Sequence, residues 1–206
     1  MKKGLLSVLL CGAALFCLLA CLGFGEKYGQ EKAGLLAGNE LARYLEQIGN
    51  PAEEVKESLA LADNQIAETG FLGASWRLSE TREIEGELFS QELLFETDPS
   101  NVLQAYRFVL EPAPLYDEER IKELTAEIAL NAVELYGKPV PYFNEGSSIL
   151  DNKGKLEPEL GRRGWEMWRL PENTVMRLQM FISEQGQYIC LEYRTQEGIQ
   201  IKWEST

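Results

Sequence analysis

Two blocks of two-residue alternation, separated by one stretch of helical period, constrain this 206-residue chain more than any other feature. In the first block Leu72, Ala74, Trp76 and Leu78 alternate with Phe71, Gly73, Ser75 and Arg77. In the second, Met176, Leu178, Met180 and Ile182 alternate against Arg177, Gln179 and Ser183. Alternation of this kind predicts strands with one buried face. Short turn signals between such segments predict antiparallel pairing, because a parallel neighbour needs a crossover of about a dozen residues or more.

The helical stretch between the blocks opens at Asp117, an N-cap followed by Glu118 and Glu119, which suit the positive end of a helix dipole. Ile121, Leu124, Ile128 and Leu135 share one face, and Tyr136-Gly137-Lys138-Pro139 stops the helix. Ahead of the first block, residues 33–48 repeat apolar side chains at helical spacing (Leu41, Leu45, Ile48), with Gly49 as the stop. A second helix is expected from Asn50 as N-cap and Pro51 at the first helical position, with the stripe Val55, Leu59, Ala62, Ile66. The pair folds back as a hairpin or runs on as a bent arm.

Within the first block, a strand to Leu78 is followed by a turn at Ser79-Glu80-Thr81-Arg82 and a long strand over 83–97. The phase of that strand slips between Leu88 and Leu93, which predicts a bulge near Ser90-Gln91. Asp98-Pro99-Ser100-Asn101 turns into a strand over 102–110 that places Tyr106, Phe108 and Leu110 on one side. After the helix, residues 140–164 read as a long loop. Strands follow at 165–170, 175–183 and 188–194, where Ile189, Leu191 and Tyr193 share a face, and a fourth carries Ile199, Ile201 and Trp203. The expected fold class is therefore α+β: an antiparallel sheet of six or seven strands, covered on one face by the long amphipathic helix. Residues 33–69 form the preceding helical hairpin and 70–206 the antiparallel domain.

The amino terminus gives a location. Lys2 and Lys3 precede an uncharged run from Gly4 to Gly25, the pattern of an export signal. Near its end, Leu18-Leu19-Ala20-Cys21 resembles the lipobox of bacterial prolipoproteins. The resemblance implies that residues 1–20 are a signal peptide, that Cys21 becomes the lipidated first residue, and that 21–32 are a tether. It implies a lipid-anchored protein on the extracytoplasmic side of the cell membrane or outer membrane. The same run is also long enough for an uncleaved membrane helix, which needs ~20 residues, and a cut after Gly23 would release the chain.

Composition narrows the chemistry. The net charge is −13, and without Lys2 and Lys3 the remainder carries 18 basic against 33 acidic side chains. Nucleic acid phosphates would repel such a chain. No histidine is present, which excludes histidine bases and triads and the histidine zinc sites. Cys190 is the one cysteine beyond the leader and sits in an apolar strand pattern, so it reads as a small buried hydrophobe. No phosphate-cradling glycine loop occurs. The sequence assigns no catalytic residue, no metal ligand and no cofactor.

Three groups of residues remain as candidates. Glu83, Glu85 and Glu87 alternate along one expected strand, which reads as a solvated edge rather than a facing acid pair. Asp151-Asn152-Lys153-Gly154 reads as a reverse turn rather than a calcium loop. Trp165, Trp168, Tyr142 and Phe143 bracket the 140–164 loop, next to the doublet Arg162-Arg163. Trp165 and Trp168 differ in parity, so one faces the core and the other does not. Tryptophan and arginine beside a loop are the residue types of binding hot spots. The expected function is that of a membrane-tethered, non-enzymatic binding or assembly module with a protein partner in the envelope. An inhibitor or receptor of a basic protein, and an acid-pair hydrolase, are the alternatives.

Overall fold

The computed structural model describes residues 34–69, 74–96, 101–110, 117–140, 147–151, 155, 157, 160–184 and 186–196. Three α-helices occur among them: α1 (Gly38–Leu45), α2 (Ala52–Ser58) and α3 (Glu118–Tyr136), with one 3-10 turn at Asp63–Gln65. The strands are β1 (Ile66–Thr69), β2 (Ser75–Ile84), β3 (Glu87–Phe95), β4 (Leu103–Leu110), β5 (Ser147–Ser148), β6 (Arg163–Leu170), β7 (Thr174–Ser183) and β8 (Gly186–Thr195). They form one sheet in the order β1-β2-β3-β4-β8-β7-β6-β5. Seven strands pair antiparallel, and two-residue β5 adds in parallel beside β6. The fold is α+β.

Because side chains alternate across a strand, each strand splits between two faces. One face carries Phe89, Leu93, Tyr106, Phe108, Trp168, Met176, Leu178, Ile189, Leu191 and Tyr193, all almost fully buried and all in one cluster with Leu35, Leu41, Val55, Ile121, Leu124 and Ile128. This is the inner face. Helix α3 contacts β6, β7 and β8. Its cap is the expected one: the Asp117 carboxylate accepts from the Arg120 N–H at 2.7 Å, and Gly137 ends the helix at φ 87. Burying an aliphatic side chain such as Ile128 contributes roughly 1.5–3 kcal/mol, so Ile121, Leu124 and Ile128 outweigh the cap as the hold on α3.

Four local expectations need correction. Asn50 does not cap α2: its backbone pairs with Leu103 (2.9 Å), its side chain reaches back to the Glu46 carbonyl (3.1 Å), and Pro51 occupies the cap position. Helix α2 ends at Ser58 rather than running to Ile66. Ala60 adopts φ 55, and the N–H groups of Ala60 and Leu61 bond to the Glu57 and Lys56 carbonyls. That is a Schellman stop with alanine where glycine is usual, so no glycine marked it, and Ile66 instead begins β1.

Ser79–Arg82 is not a turn but the middle of β2. The reversal falls at Glu85-Gly86, both with positive φ (51 and 77), the backbone of a two-residue hairpin loop. The turn accounts for the parity of Ile84, which belongs to β2, while Leu88 shares β3 with Leu93 and is exposed on the opposite face. The register irregularity lies opposite Ser90-Gln91, in β2: three residues separate Arg77 from Thr81 there, against Gln91 alone between their partners Glu92 and Ser90. Gln91 fills the bulge, donating to the Glu80 carbonyl at 3.2 Å and accepting from the Tyr106 hydroxyl.

The 140–164 segment is not wholly loop. Ile149 and Leu150 are buried, and β5 aligns with Gly164 and Trp165 of β6. Gly164 is required there: a Cβ on it would lie 2.9 Å from Ile149. Residues 70–73, 97–100 and 197–206 lie outside the described residues, including the expected strand at Ile199–Trp203. Strand β8 has β4 and β7 as its two neighbours.

Candidate functional site

The outer face of the same sheet has a different chemistry. Directly opposed positions place Arg77 of β2, Glu92 of β3, Arg107 of β4, Glu192 of β8 and Arg177 of β7 in one row across five strands. Opposite charges facing each other across strands stabilise the pairing. Arg77 donates to Glu92 at 3.1 and 2.8 Å. Glu192 is fully buried and accepts from three arginines: Arg107, Arg177 at 2.7 Å and Arg194 at 3.3 Å. Burial alone would raise its carboxyl; Arg177, Arg107 and Arg194 outweigh that and hold it below the usual carboxylate range.

On the outer side of β4, β6, β7 and β8 the alternation places Arg107, Arg163, Arg169, Arg177 and Arg194 against the single carboxylate Glu192. Aromatic rings interleave with them. The Arg163 guanidinium lies 4.9 Å from the centre of the Phe181 ring, and Arg177 lies 5.5 Å from Trp165. Phe181 and Tyr188 face each other across β7 and β8 with ring centres 5.6 Å apart.

Beside this pair opens a groove of about 550 Å³, walled by Glu92, Arg107, Gln179, Phe181, Gln187, Tyr188 and Cys190. That volume lies within the ~300–1,000 Å³ typical of ligand sites. Gln187 Oε1 is buried without a hydrogen-bond partner. The Cys190 thiol is pushed up to about 12, by burial first, which makes it unreactive.

The sequence candidates divide. Trp165 and Arg163 lie on this face, Trp165 half-buried beneath Arg177 and Arg163 exposed on Phe181. Trp168 does not: it is fully buried on the inner face, and its indole N–H donates to the Gly137 carbonyl at 3.1 Å. It locks β6 to the end of α3 and presents nothing to a partner. Arg162 precedes β6 and pairs with Glu118 at the start of α3 (3.1 Å). Tyr142 and Cys21 lie outside the described residues, as does Phe143. Trp76 is half-buried, tilted against Phe95 at 4.6 Å.

The acidic candidates do not converge. Glu83, Glu85 and Glu87 straddle the β2–β3 turn instead of lining one strand. Glu85 accepts from Asn131, and Glu87 pairs with Arg120 at 3.3 Å, both on α3. Burial raises the Glu85 carboxyl above its usual value. Asp151 accepts the Lys155 N–H at 2.8 Å, as a turn residue does. Among the described residues no cluster of histidine, cysteine, aspartate or glutamate could hold a metal ion.

Sequence reading missed two glutamates. Glu192 stands in a row with three arginines, and the signal was the second parity of four strands, which carries arginine and no lysine. Glu166 is buried on the inner face and accepts the Leu150 N–H at 3.0 Å. Burial pushes its carboxyl up to about 7, against the lowering effect of the Leu150 and Ile149 amides. Comparison with protein-family models, curated proteins and solved structures finds no match to this chain.

Proposed function

We propose that the chain is a membrane-tethered bacterial envelope lipoprotein that works as a binding or assembly module through the outer face of its sheet. In this reading α3 covers one side of the sheet, the α1–α2 pair completes that cover as a hairpin, and Cys21 carries the lipid. The opposite side is left to a partner. The observation that carries the reading is the groove beside Phe181 and Tyr188, walled also by Arg107 and Glu92, whose side chains stand apart from the inner hydrophobic cluster. Six of the ten arginines of this acidic chain stand on the outer face, interleaved with Glu92, Glu192 and aromatic rings. The Leu18-Leu19-Ala20-Cys21 sequence supports the tether. Among the described residues no helix is long and apolar enough to cross a membrane; the run 4–25 lies outside them.

Two measurements test this. Metabolic labelling with a fatty-acid analogue in a bacterial host should mark the wild type and not Cys21→Ala; equal labelling removes the lipid anchor. Cross-linking of the full chain in intact envelopes should yield a discrete adduct from a photo-crosslinker at Tyr188. An adduct only from positions on α3 would place the binding surface elsewhere.

A further inference from the structure

We infer that residues 147–151 are a strap on the edge of the sheet, held shut while the Glu166 side chain is protonated and freed when it ionises. The pairing of this strap is slight. Two-residue β5 lies in parallel beside Gly164 and Trp165, and the Ile149 N–H bonds to the Trp165 carbonyl at 3.3 Å. Yet Ile149 is fully buried and Leu150 nearly so. Gly164 makes room for them: a Cβ there would stand 2.9 Å from Ile149 and 3.2 Å from Leu160. The Leu150 N–H donates to Glu166 Oε2 at 3.0 Å, and the Ile149 amide acts on the same carboxyl. Glu166, only 7% exposed, is thus a polar tie between the strap and β6.

A carboxylate in that position has no cation to offset its lost water. On the inner face β7 presents Met176, Leu178 and Met180, with Leu178 directly opposite Glu166. The buried side of α3 presents Ile121, Leu124, Thr125 and Ile128, none of them charged. At the start of α3, Glu118 is held by Arg162 (3.1 Å) and Lys122 (2.8 Å), and Arg120 pairs with Glu87 at 3.3 Å. On the strap side Asp151 accepts the Lys155 N–H, and the Glu157 N–H bonds to the Ile149 carbonyl at 3.0 Å. Arg163 and Arg169 of β6 stand on the outer face. The Glu166 carboxyl accordingly rises from 4.5 to about 7 through burial, against the two strap amides.

Opening the strap wets the carboxyl, which then titrates as an ordinary glutamate. The closed form holds its proton more tightly, so it is favoured in acid and loses ground as pH rises through about 7. Between 4.5 and 7 each pH unit favours opening about tenfold, roughly 300-fold in all. Two residues of edge pairing belong to the low-stability end of a structure, so the strap yields before the sheet does. What it uncovers is the backbone edge of β6 at Gly164 and Trp165, the kind of edge to which a further strand adds.

The test is native-state amide exchange on the full chain in detergent at pH 5 and pH 8 in low urea, with rates corrected for the intrinsic effect of pH. Protection of the Leu150 amide should be roughly 50–100-fold lower at pH 8 than at pH 5. It should also ignore urea, because local opening exposes little surface. Amides of β7 and β8 should be better protected and should lose protection as urea is added. Glu166→Gln keeps an oxygen for the Leu150 N–H and cannot ionise, so Leu150 should stay protected alike at both pH values. Glu157→Gln, on the same segment, should keep the wild-type response. Equal protection of Leu150 at pH 5 and pH 8 in the wild type overturns the inference. So does loss of protection at Leu150 only in step with β7 and β8 and with their urea dependence, which is global unfolding. A pH response that survives Glu166→Gln, or that vanishes in Glu157→Gln, overturns it as well.

Discussion

The two faces of the sheet each bury a glutamate, and they treat it in opposite ways. On the inner face Glu166 sits among Gly164, Trp168 and Leu178 with backbone amides as its partners, and burial drives its carboxyl up to about 7. On the outer face Glu192, more deeply buried still, keeps its charge because three arginines surround it. Burial alone therefore does not decide the ionisation of a carboxyl group; the company does. The inner face is built for packing and tolerates a carboxyl best when it is neutral. The outer face is a charge network, and its arginines are organised by the carboxylate at their centre.

The sharpest way to break this contrast is to remove that centre. Glu192→Gln leaves Arg107, Arg177 and Arg194 crowded without their counter-charge, and should cost about 3–5 kcal/mol in a urea melt. Trp168→Ala should cost a similar ~3–5 kcal/mol, through a cavity in the inner layer and the loss of the bond to Gly137. Ile128→Ala on α3 should cost ~2–4 kcal/mol, while Glu127→Ala, half exposed on the same helix, should change little.

A smaller effect has the opposite sign. The Glu166 carboxyl is raised from 4.5 to about 7, so the folded state binds its proton more tightly than the unfolded state. Its contribution is fully present below about pH 4.5 and is lost as pH rises through about 7. The charged form thus costs roughly 3 kcal/mol at pH 8. Glu166→Gln keeps an oxygen for the Leu150 amide and carries no charge, so it should stabilise the protein at pH 8 by roughly 1–3 kcal/mol and change little at pH 4. Urea midpoints at the two pH values check this. Glu192 has the reverse slope: its contribution is present above the usual carboxylate range and is lost as pH falls below it.

Much of the fold was legible because it depends on period alone. The α3 face, the strand over 102–110 and the pattern at Ile189, Leu191 and Tyr193 follow from spacing, and each is found as expected. The failures share a cause. Ala60 stops α2 in a left-handed conformation without a glycine, and Glu85 takes a positive φ where only Gly86 signalled a turn. In both, a residue other than glycine takes a left-handed backbone that its type does not announce. The site was half legible. Trp165 and Arg163 were named, but parity could not say which of Trp165 and Trp168 faces inward, and the arginine row depends on a register that joins β4 to β8 across more than eighty residues.

The most direct test of the contrast is a carboxyl ¹³C NMR titration that follows Glu166 and Glu192 in the same sample. The Glu166 resonance should move near pH 7, while that of Glu192 should stay in its ionised position through the range where ordinary glutamates titrate. If the two move together near 4.5, as unperturbed glutamates do, the faces do not differ in the way described, and the arginine network is not what holds the charge.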